Sequence, residues 1–249
     1  MHRFMVAPNN IANDEITLEG DDLKHLRQVL RLGPGDTIHV FDGSGIEYEA
    51  SIISSDKSRA IARINTSFQN KTEPETRVTL FQGVPKGEKM ELIIQKGVEL
   101  GVHSIVPVIT SRTVVKLNKK DSEKKAERWT KISIEAAKQC RRAYVPQILE
   151  PISFDEALVK AEDFSAVLLL YENEGKKCLK ERLKCYNINK IKDIALFVGP
   201  EGGFTLEEVR NYTDKGYDIV SLGKRILRVE TATISVLSII MYEMGEMNL

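Results

Sequence analysis

The residues best suited to holding a small ligand lie in two glycine-bearing segments of the chain, GPEGGF at 199–204 and SLGKRILRVETA at 221–232. Glycine lets backbone N–H and C=O groups approach a ligand closely, because no side chain intervenes. Such a lining suits a purine nucleoside better than a triphosphate. The cations in these loops are too few for a triphosphate, although Lys224, Arg225 and Arg228 leave phosphate binding open.

Each segment lies at the end of a predicted strand and leads into a predicted helix. The two strands are predicted at 195–198 and 218–222. Thr205 is placed to cap the first helix, with Glu208 completing a capping box and Phe204 packing on Val209. A third predicted strand ends at the loop 171–175. Ligands of open α/β sheets bind beyond the carboxyl ends of strands, so the three loops are expected to line one pocket.

Strands and helices alternate through the second part of the chain, which predicts a parallel sheet covered on both faces. Neither GxGxxG nor a P-loop sequence is present, so the sheet does not carry a familiar nucleotide motif. The predicted strands are 77–84, 104–109, 165–171, 195–198 and 218–222, and the predicted helices are 88–100, 122–142, 176–183 and 230–242. The last helix is apolar nearly all round, which predicts burial or contact with a second subunit.

Short alternating runs separated by Gly, Asp and Asn fill residues 1–70 and predict a small β-barrel. Its expected strands are 4–7, 15–18, 37–41, 46–53 and 59–67, and the polar segment 69–75 is the expected linker. The sequence therefore predicts two domains, 1–70 and 75–249.

A helical stretch at 21–32 interrupts the strands, with an apolar face of Leu23, Leu26, Leu30 and Val29. Arg27 and Arg31 lie one turn apart on its outer side. Together with Arg3 they can contact phosphates, or they can form an ordinary solvated surface.

The chain is electrically balanced overall, with 36 basic and 36 acidic residues among 249, but it carries a local basic excess. Residues 112–142 hold eleven basic residues against four acidic ones. On the helix of this region one face is expected to pack and the other to be basic. The basic face can track a phosphate backbone or remain a solvated surface. The side chains expected to make such contacts here are Lys131, Lys138, Arg141 and Arg142.

The N-terminal sequence lacks the apolar core of a signal peptide, and no apolar run is long enough for a membrane span, so a cytoplasmic protein is expected. The three cysteines lack CxxC spacing and the four histidines are scattered. Neither a disulfide framework nor a metal site is predicted.

The two glycine-bearing segments, with HLRQVLRLGPGD at 25–36, QKGVELGV at 95–102 and AAKQCRRAYVPQI at 136–148, resemble the RsmE family along the whole chain. That family comprises 16S ribosomal RNA uridine N3-methyltransferases that use S-adenosylmethionine. The resemblance implies a PUA-like, RNA-binding barrel followed by a SPOUT methyltransferase domain with a deep trefoil knot and a homodimer. It also implies a target in the small ribosomal subunit, uridine 1498.

The resemblance further implies which residues serve the cofactor and the chemistry. The expected cofactor residues are Tyr171, Glu172, Gly199, Pro200, Gly202, Gly203, Leu222, Gly223, Arg225, Ile226, Leu227, Thr231 and Ala232. Arg228 is the candidate for stabilising the charge that forms on uracil when N3 loses its proton. Glu230 or Glu201 would accept that proton or fix the arginine. The chain departs from the family at Lys224 and Val229, where proline and threonine are usual.

Two other functions fit parts of the sequence. One is a phosphate-handling nucleotide enzyme that holds an anion at the helix start 204–209. The other is a protein that binds RNA through its barrel and basic helix without catalysing a reaction.

Overall fold

The computed structural model describes residues 2–114, 119–172, 178–186 and 191–248. The chain forms two compact units, Met1–Glu73 with Ala137–Val145 and Pro74–Ala136 with Pro146–Leu249. The division between Glu73 and Pro74 falls inside the predicted linker, although Gln69 still ends a strand and Asn70 is buried. The return of the chain to the first unit at Ala137–Val145 was not predicted.

The first unit is built on a six-stranded sheet whose strands follow the order β1-β4-β5-β6-β3-β2. The strands are β1 (Arg3–Met5), β2 (Ile11–Ala12), β3 (Glu15–Leu18), β4 (Thr37–Phe41), β5 (Ile46–Ser55) and β6 (Ala60–Gln69). Neighbours are antiparallel except β1 and β4, which are parallel. Alternation along β3 buries Ile16 and Leu18 in the core of this unit, as the period of two predicts.

The predicted helical stretch at 21–32 is an α-helix, α1 (Gly20–Lys24), followed by a π-helical turn at His25–Val29. The backbone N–H of Leu30 donates to the carbonyl of His25, five residues earlier. This extra residue per turn shifts the later side chains around the axis. Leu23 and Leu26 are buried. Val29, at the end of the π-helical turn, is 66% exposed, so its predicted place on the apolar face was wrong.

A buried polar network holds the returning segment Ala137–Val145 within the first unit. Glu47 pairs with Arg3 (Nε–Oε1 3.0 Å) and accepts a 2.7 Å hydrogen bond from Asn70. The same asparagine amide donates to the carbonyl of Arg141, at 3.2 Å. Arg142 pairs with Glu73 at 2.8 Å. Every member thus finds a partner, as buried polar groups require.

The second unit contains a parallel sheet in the order β10-β8-β7-β12-β11-β13, with β9 also paired to β8. Its strands are β7 (Arg77–Gly83), β8 (Ser104–Ile109), β9 (Gln147–Ile148), β10 (Ile152–Ser153), β11 (Ala166–Leu170), β12 (Asp193–Val198) and β13 (Asp218–Val220). The central strands are buried along nearly their whole length, as expected for strands covered on both faces. The predicted parallel α/β architecture is confirmed.

Six α-helices accompany this sheet within the described ranges. They are α2 (Lys89–Glu99), α3 (Lys119–Gln139), α4 (Phe154–Lys160), α5 (Leu179–Cys185), α6 (Leu206–Asp214) and α7 (Val229–Glu243). No helix in the described ranges combines the length and apolarity needed to cross a membrane. α4 was missed, although its capping box of Ser153 and Glu156 is readable in the sequence.

The bounds of α3 and α5 differ most from the predicted helices 122–142 and 176–183. α3 ends at Gln139 and not at 142; Arg141, two residues on, adopts the left-handed conformation (φ 65°), which cannot continue a helix. α5 begins at Leu179, and the predicted residues 176 and 177 lie outside the described part of the chain.

Candidate functional site

The carboxyl ends of three neighbouring strands meet at one edge of the parallel sheet. Leu170 at the end of β11 pairs with Val198 of β12 on one side and with Val220 of β13 on the other. The loops that follow these strands therefore begin side by side. Of the loop predicted at 171–175, residues 173–175 lie outside the described part of the chain. Its described residues Tyr171 and Glu172, the other two loops, the start of α7 and part of α2 line a cavity of about 480 Å³.

Most residues predicted to bind a cofactor line this cavity. Those lining it are Tyr171, Glu172, Gly199, Pro200, Gly203, Leu222, Gly223, Arg225, Ile226, Leu227 and Ala232, with Arg228 and Glu201 among the catalytic candidates. Gly202, Thr231 and Glu230 are not in the lining. Lys89, Leu170, Val198, Ser221 and Val229 also line the cavity and were not predicted to do so. Of these, Lys89 lies at the start of α2, before the QKGVELGV segment at 95–102.

Two glycines allow the backbone segments around the cavity to approach one another. Gly203 has a φ of +65°, and a Cβ there would lie 2.7 Å from Oε1 of Glu172. At the end of β7, a Cβ on Gly83 would lie 2.6 Å from the backbone nitrogen of Pro200. A larger residue at Gly83 would push the first glycine loop away from the end of β7, and one at Gly203 would displace either the loop or the Glu172 carboxylate.

The helix that follows this loop begins as predicted. Thr205 and Glu208 form a reciprocal capping box, and Phe204 belongs to a buried core cluster against which Val209 packs. Glu208 also accepts a 2.8 Å hydrogen bond from the backbone N–H of Ser111. The chain's own carboxylate therefore occupies the helix start, which argues against the anion site of the rival nucleotide-enzyme hypothesis.

Glu201 is engaged in holding α2 beside the cavity. Its carboxylate accepts hydrogen bonds from Nζ of Lys89 (2.8 Å) and from the backbone N–H of Lys86 (3.1 Å). Partial burial raises the pKa of Glu201, but the hydrogen bonds from Lys89 and the backbone outweigh it and hold the pKa below its usual range. A weakly basic, paired carboxylate is a poor proton acceptor.

The remaining catalytic candidates lie at the start of α7, where Arg228 lines the cavity and Glu230 does not. Arg228 is the N-cap residue of α7, is exposed and lines the cavity. Within the described residues its guanidinium makes no hydrogen bond or ion pair. Glu230 lies two residues further on, and its buried Oε2 has no hydrogen-bond partner in the described part of the chain. A buried, unsatisfied carboxylate oxygen beside a ligand cavity is an acceptor awaiting a donor.

A fully buried glutamine connects the strand ends to α7. The side-chain amide of Gln82 donates to the carbonyls of Gly83 (3.0 Å) and Val198 (3.4 Å). Its Oε1 accepts a 2.8 Å hydrogen bond from the hydroxyl of Thr233. The amide thus links the ends of β7 and β12 to the first turns of α7; β12 is the strand that precedes the first glycine loop.

The predicted RNA-binding side chains fall into two groups. Arg3 and Arg142 are buried in ion pairs, and Lys138 pairs with Asp22 at 3.1 Å, so these cations stabilise the first unit, and their pairing disfavours the predicted contact with phosphate. Their pairing partners are distant in sequence, which no helical wheel can show. The other four are exposed, namely Arg27, Arg31, Lys131 and Arg141.

Comparison with known proteins agrees with this combination of fold and cavity. The family model described as an RNA methyltransferase domain matches residues 72–241, and the one described as an RNA methyltransferase PUA domain matches residues 18–65. The parallel sheet with its loop-lined cavity and the antiparallel N-terminal unit are therefore those of an RNA methyltransferase.

Individual relatives narrow the class. The chain is similar to the ribosomal RNA small subunit methyltransferase E of Bacillus subtilis, with 35% identity over 91% of this chain and 90% of the relative. It is 36% identical to that of Synechocystis, over 93% of this chain and 74% of the relative. The chain belongs to the ribosomal RNA small subunit methyltransferase E family, and the predicted RsmE resemblance is confirmed.

Two solved structures share the fold over almost the whole chain. One is the ribosomal RNA small subunit methyltransferase E of Neisseria gonorrhoeae bound to S-adenosylmethionine, with TM-score 0.84, 34% identity and 97% of both chains covered. The other is a methyltransferase of Legionella pneumophila in complex with the same cofactor, with TM-score 0.85, 33% identity and 96% of both chains covered.

Proposed function

We propose that this protein transfers a methyl group from S-adenosylmethionine to N3 of a uridine in small-subunit ribosomal RNA. The observation that carries the proposal is the cavity of about 480 Å³ at the carboxyl edge of the parallel sheet, enclosed by three loops. Its volume is typical of sites for small ligands. Relatives of the same fold hold S-adenosylmethionine, which supports the choice of ligand.

The lining of the cavity suits the parts of that cofactor. Leu222, Ile226 and Leu227 offer apolar surface for an adenine ring; Ile226 is 86% exposed, so a ring against it would remove apolar area from water. The Glu172 carboxylate can accept hydrogen bonds from ribose hydroxyls. When bound, S-adenosylmethionine supplies a methyl group on a cationic sulfur that leaves as a neutral thioether.

The protein's own part in the reaction is to position the uracil and manage the proton on N3. Loss of that proton spreads negative charge onto the neighbouring carbonyl oxygens, and Arg228 is available at the cavity to stabilise it. Between the two candidate carboxylates, the pairing of Glu201 with Lys89 disfavours it as the base. Glu230, with its unpartnered oxygen, is the residue we assign to receive the proton or to orient Arg228.

We further propose the trefoil knot and the homodimer for this chain. The strand order supports the knot, since β12 lies between β7 and β11 while β13 follows on the far side of β11. Half-buried apolar residues on α7 support a second subunit, including Ile234 and Ile239, as does Tyr242, which is 65% exposed.

We assign RNA binding to the N-terminal domain, residues 1–70, and catalysis to residues 75–249. The exposed cations Arg27, Arg31, Lys131 and Arg141 are retained as phosphate contacts. The partner is small-subunit ribosomal RNA, either free or within the ribosomal subunit.

The hydrogen bond between Thr233 and Gln82 gives a test of how the cavity is held together. Thr233→Val should lower the free energy of unfolding by about 1–3 kcal/mol, because it leaves a buried acceptor without its donor. It should also weaken S-adenosylmethionine binding, since α7 and the first glycine loop lose their common tie. Urea denaturation and calorimetry measure the two effects.

Thr79→Val is the matched control, because Thr79 makes a similar hydroxyl contact with Ser104 (2.9 Å) at the other end of β7. It should reduce stability and leave cofactor affinity unchanged. Equal affinity in both folded variants would show that the Gln82 tie does not shape the cavity.

The proposed function is tested by ligand binding and by product analysis. Calorimetry with S-adenosylmethionine and with ATP should show binding of the first alone. Incubation with unmethylated small subunits, or with their extracted RNA, should yield 3-methyluridine by nucleoside mass spectrometry. Binding of ATP alone would favour a nucleotide enzyme, and a methyl group on any other base or atom would overturn the uridine N3 assignment.

A further inference from the structure

Exposed cations surround the mouth of the cavity on two sides. Lys86 and Arg112 lie beside the first glycine loop, and Lys224 and Arg225 belong to the second. We call these four residues the basic rim. In the described part of the chain none of them forms an ion pair, whereas three of the cations predicted to bind RNA are paired.

Arg112 is held in place by its surroundings. It sits in a tight turn closed by a 2.9 Å hydrogen bond from the backbone N–H of Thr110 to the hydroxyl of Thr113. The adjacent Ser111 is tied to Glu208 at the start of α6. The Arg112 guanidinium donates a 2.6 Å hydrogen bond to the carbonyl of Gly202.

Close packing fixes the side chain further. A Cβ on Gly202 would lie 3.0 Å from Cβ of Arg112, so the arginine stem rests directly on the glycine loop. Guanidinium has five N–H donors, and Gly202 takes one. A pre-organised arginine with unused donors beside a ligand cavity can bind a planar or tetrahedral anion in two places at once.

Among the described residues, the two acidic side chains that line the cavity do not cancel the rim. Glu201 is already neutralised by Lys89, and Glu172 faces Gly203. A phosphate chain crossing the mouth would meet the cations beside the first glycine loop and those in the second.

We propose that the basic rim, with Arg112 as its fixed member, binds the phosphates that flank the target nucleotide of a single-stranded RNA segment. The inference rests on the proposed function, because a base can reach a cavity of this kind only when unpaired and turned out of its stack, which carries its neighbouring phosphates over the mouth. The rim is thus a substrate-positioning surface; Arg225 also lines the cofactor cavity, whereas Lys86, Arg112 and Lys224 lie outside its lining.

The test compares Arg112→Ala with Arg77→Ala, since Arg77 is also exposed in the second unit but begins β7, at the opposite edge of the sheet. Binding of a single-stranded small-subunit RNA fragment is measured over a range of salt concentrations. Removing the cation that neutralises one phosphate should reduce the slope of log K against log salt by about 0.7. Arg112→Ala should show this reduction and a raised KM for RNA, and Arg77→Ala should show neither.

Calorimetry with S-adenosylmethionine distinguishes an RNA-binding role of Arg112 from a cofactor-binding role. Unchanged cofactor affinity in Arg112→Ala is expected, whereas weakened affinity with an unaltered salt slope would assign Arg112 to the cofactor and overturn the proposal. Arg112→Lys should keep the salt slope, since it retains the charge. Methylation by the wild-type protein is measured in parallel, and its absence would refute the proposed function. Normal methylation by the wild type, with an unaltered salt slope for Arg112→Ala, would refute only phosphate binding by the basic rim.

Discussion

Replacement of Arg228 by alanine is expected to lower kcat for methyl transfer about a hundred- to a thousand-fold, with little change in KM. The charge that the guanidinium would stabilise appears on uracil only as N3 loses its proton. The interaction is therefore absent from the ground state, and the effect of removing it falls on kcat. Arg228→Lys should recover little activity, because a single ammonium cannot reproduce the planar fork.

Single-turnover methylation at saturating cofactor and RNA measures this effect. Arg210→Ala on α6 is a suitable control, since Arg210 is exposed and lies outside the cavity lining. If Arg228 only anchored its loop, cofactor affinity and kcat would fall together. Its guanidinium makes no hydrogen bond to a backbone carbonyl within the described residues, which favours the role in charge stabilisation. A methylation rate of Arg228→Ala equal to that of the wild type would rule out a role of Arg228 in charge stabilisation.

Gly203→Val is expected to weaken S-adenosylmethionine binding by at least about tenfold. A β-branched residue is strained at a φ of +65°, and its Cβ would lie 2.7 Å from the Glu172 carboxylate. Either the glycine loop or Glu172 must then move, and both line the cavity. Calorimetric titration of the folded variant gives the change in affinity directly.

Gly216→Val separates backbone strain from the effect on the cavity. Gly216 has a φ of +78°, and no atom lies within 4 Å of an added Cβ. Valine there is under backbone strain similar to that at position 203 but does not collide with a neighbouring side chain. This variant should be destabilised and should bind the cofactor normally. Unchanged affinity in a folded Gly203→Val protein would mean that the ligand lies elsewhere.

The sequence alone was sufficient to predict those features of the fold that depend on neighbouring residues in the chain. The glycine loops, the Thr205 cap and the alternation of strand and helix each follow from a few adjacent residues, and each is present in the structure. Features that depend on distant partners were missed. The contact of Arg112 with Gly202 spans ninety residues of chain, and no local pattern records it.

The same limit explains why the sequence did not reveal the ion pairs made by some of the predicted RNA contacts. A helical wheel assigns Arg142 to a basic surface, but Glu73 pairs with it and buries it. The π-helical turn at His25–Val29 likewise changes which side chains face the core, and a fixed period of 3.6 cannot anticipate an inserted residue.

The return of Ala137–Val145 to the first unit has a consequence for how the protein is made. During synthesis the N-terminal sheet emerges from the ribosome first, yet Glu73 then lacks Arg142, and the Gly45 amide lacks the carbonyl of Ala143. Domains usually fold as units in the order of their synthesis. Here the N-terminal unit cannot be completed until more than half of the chain has been translated, and a fragment ending at residue 73 would be an unfinished domain.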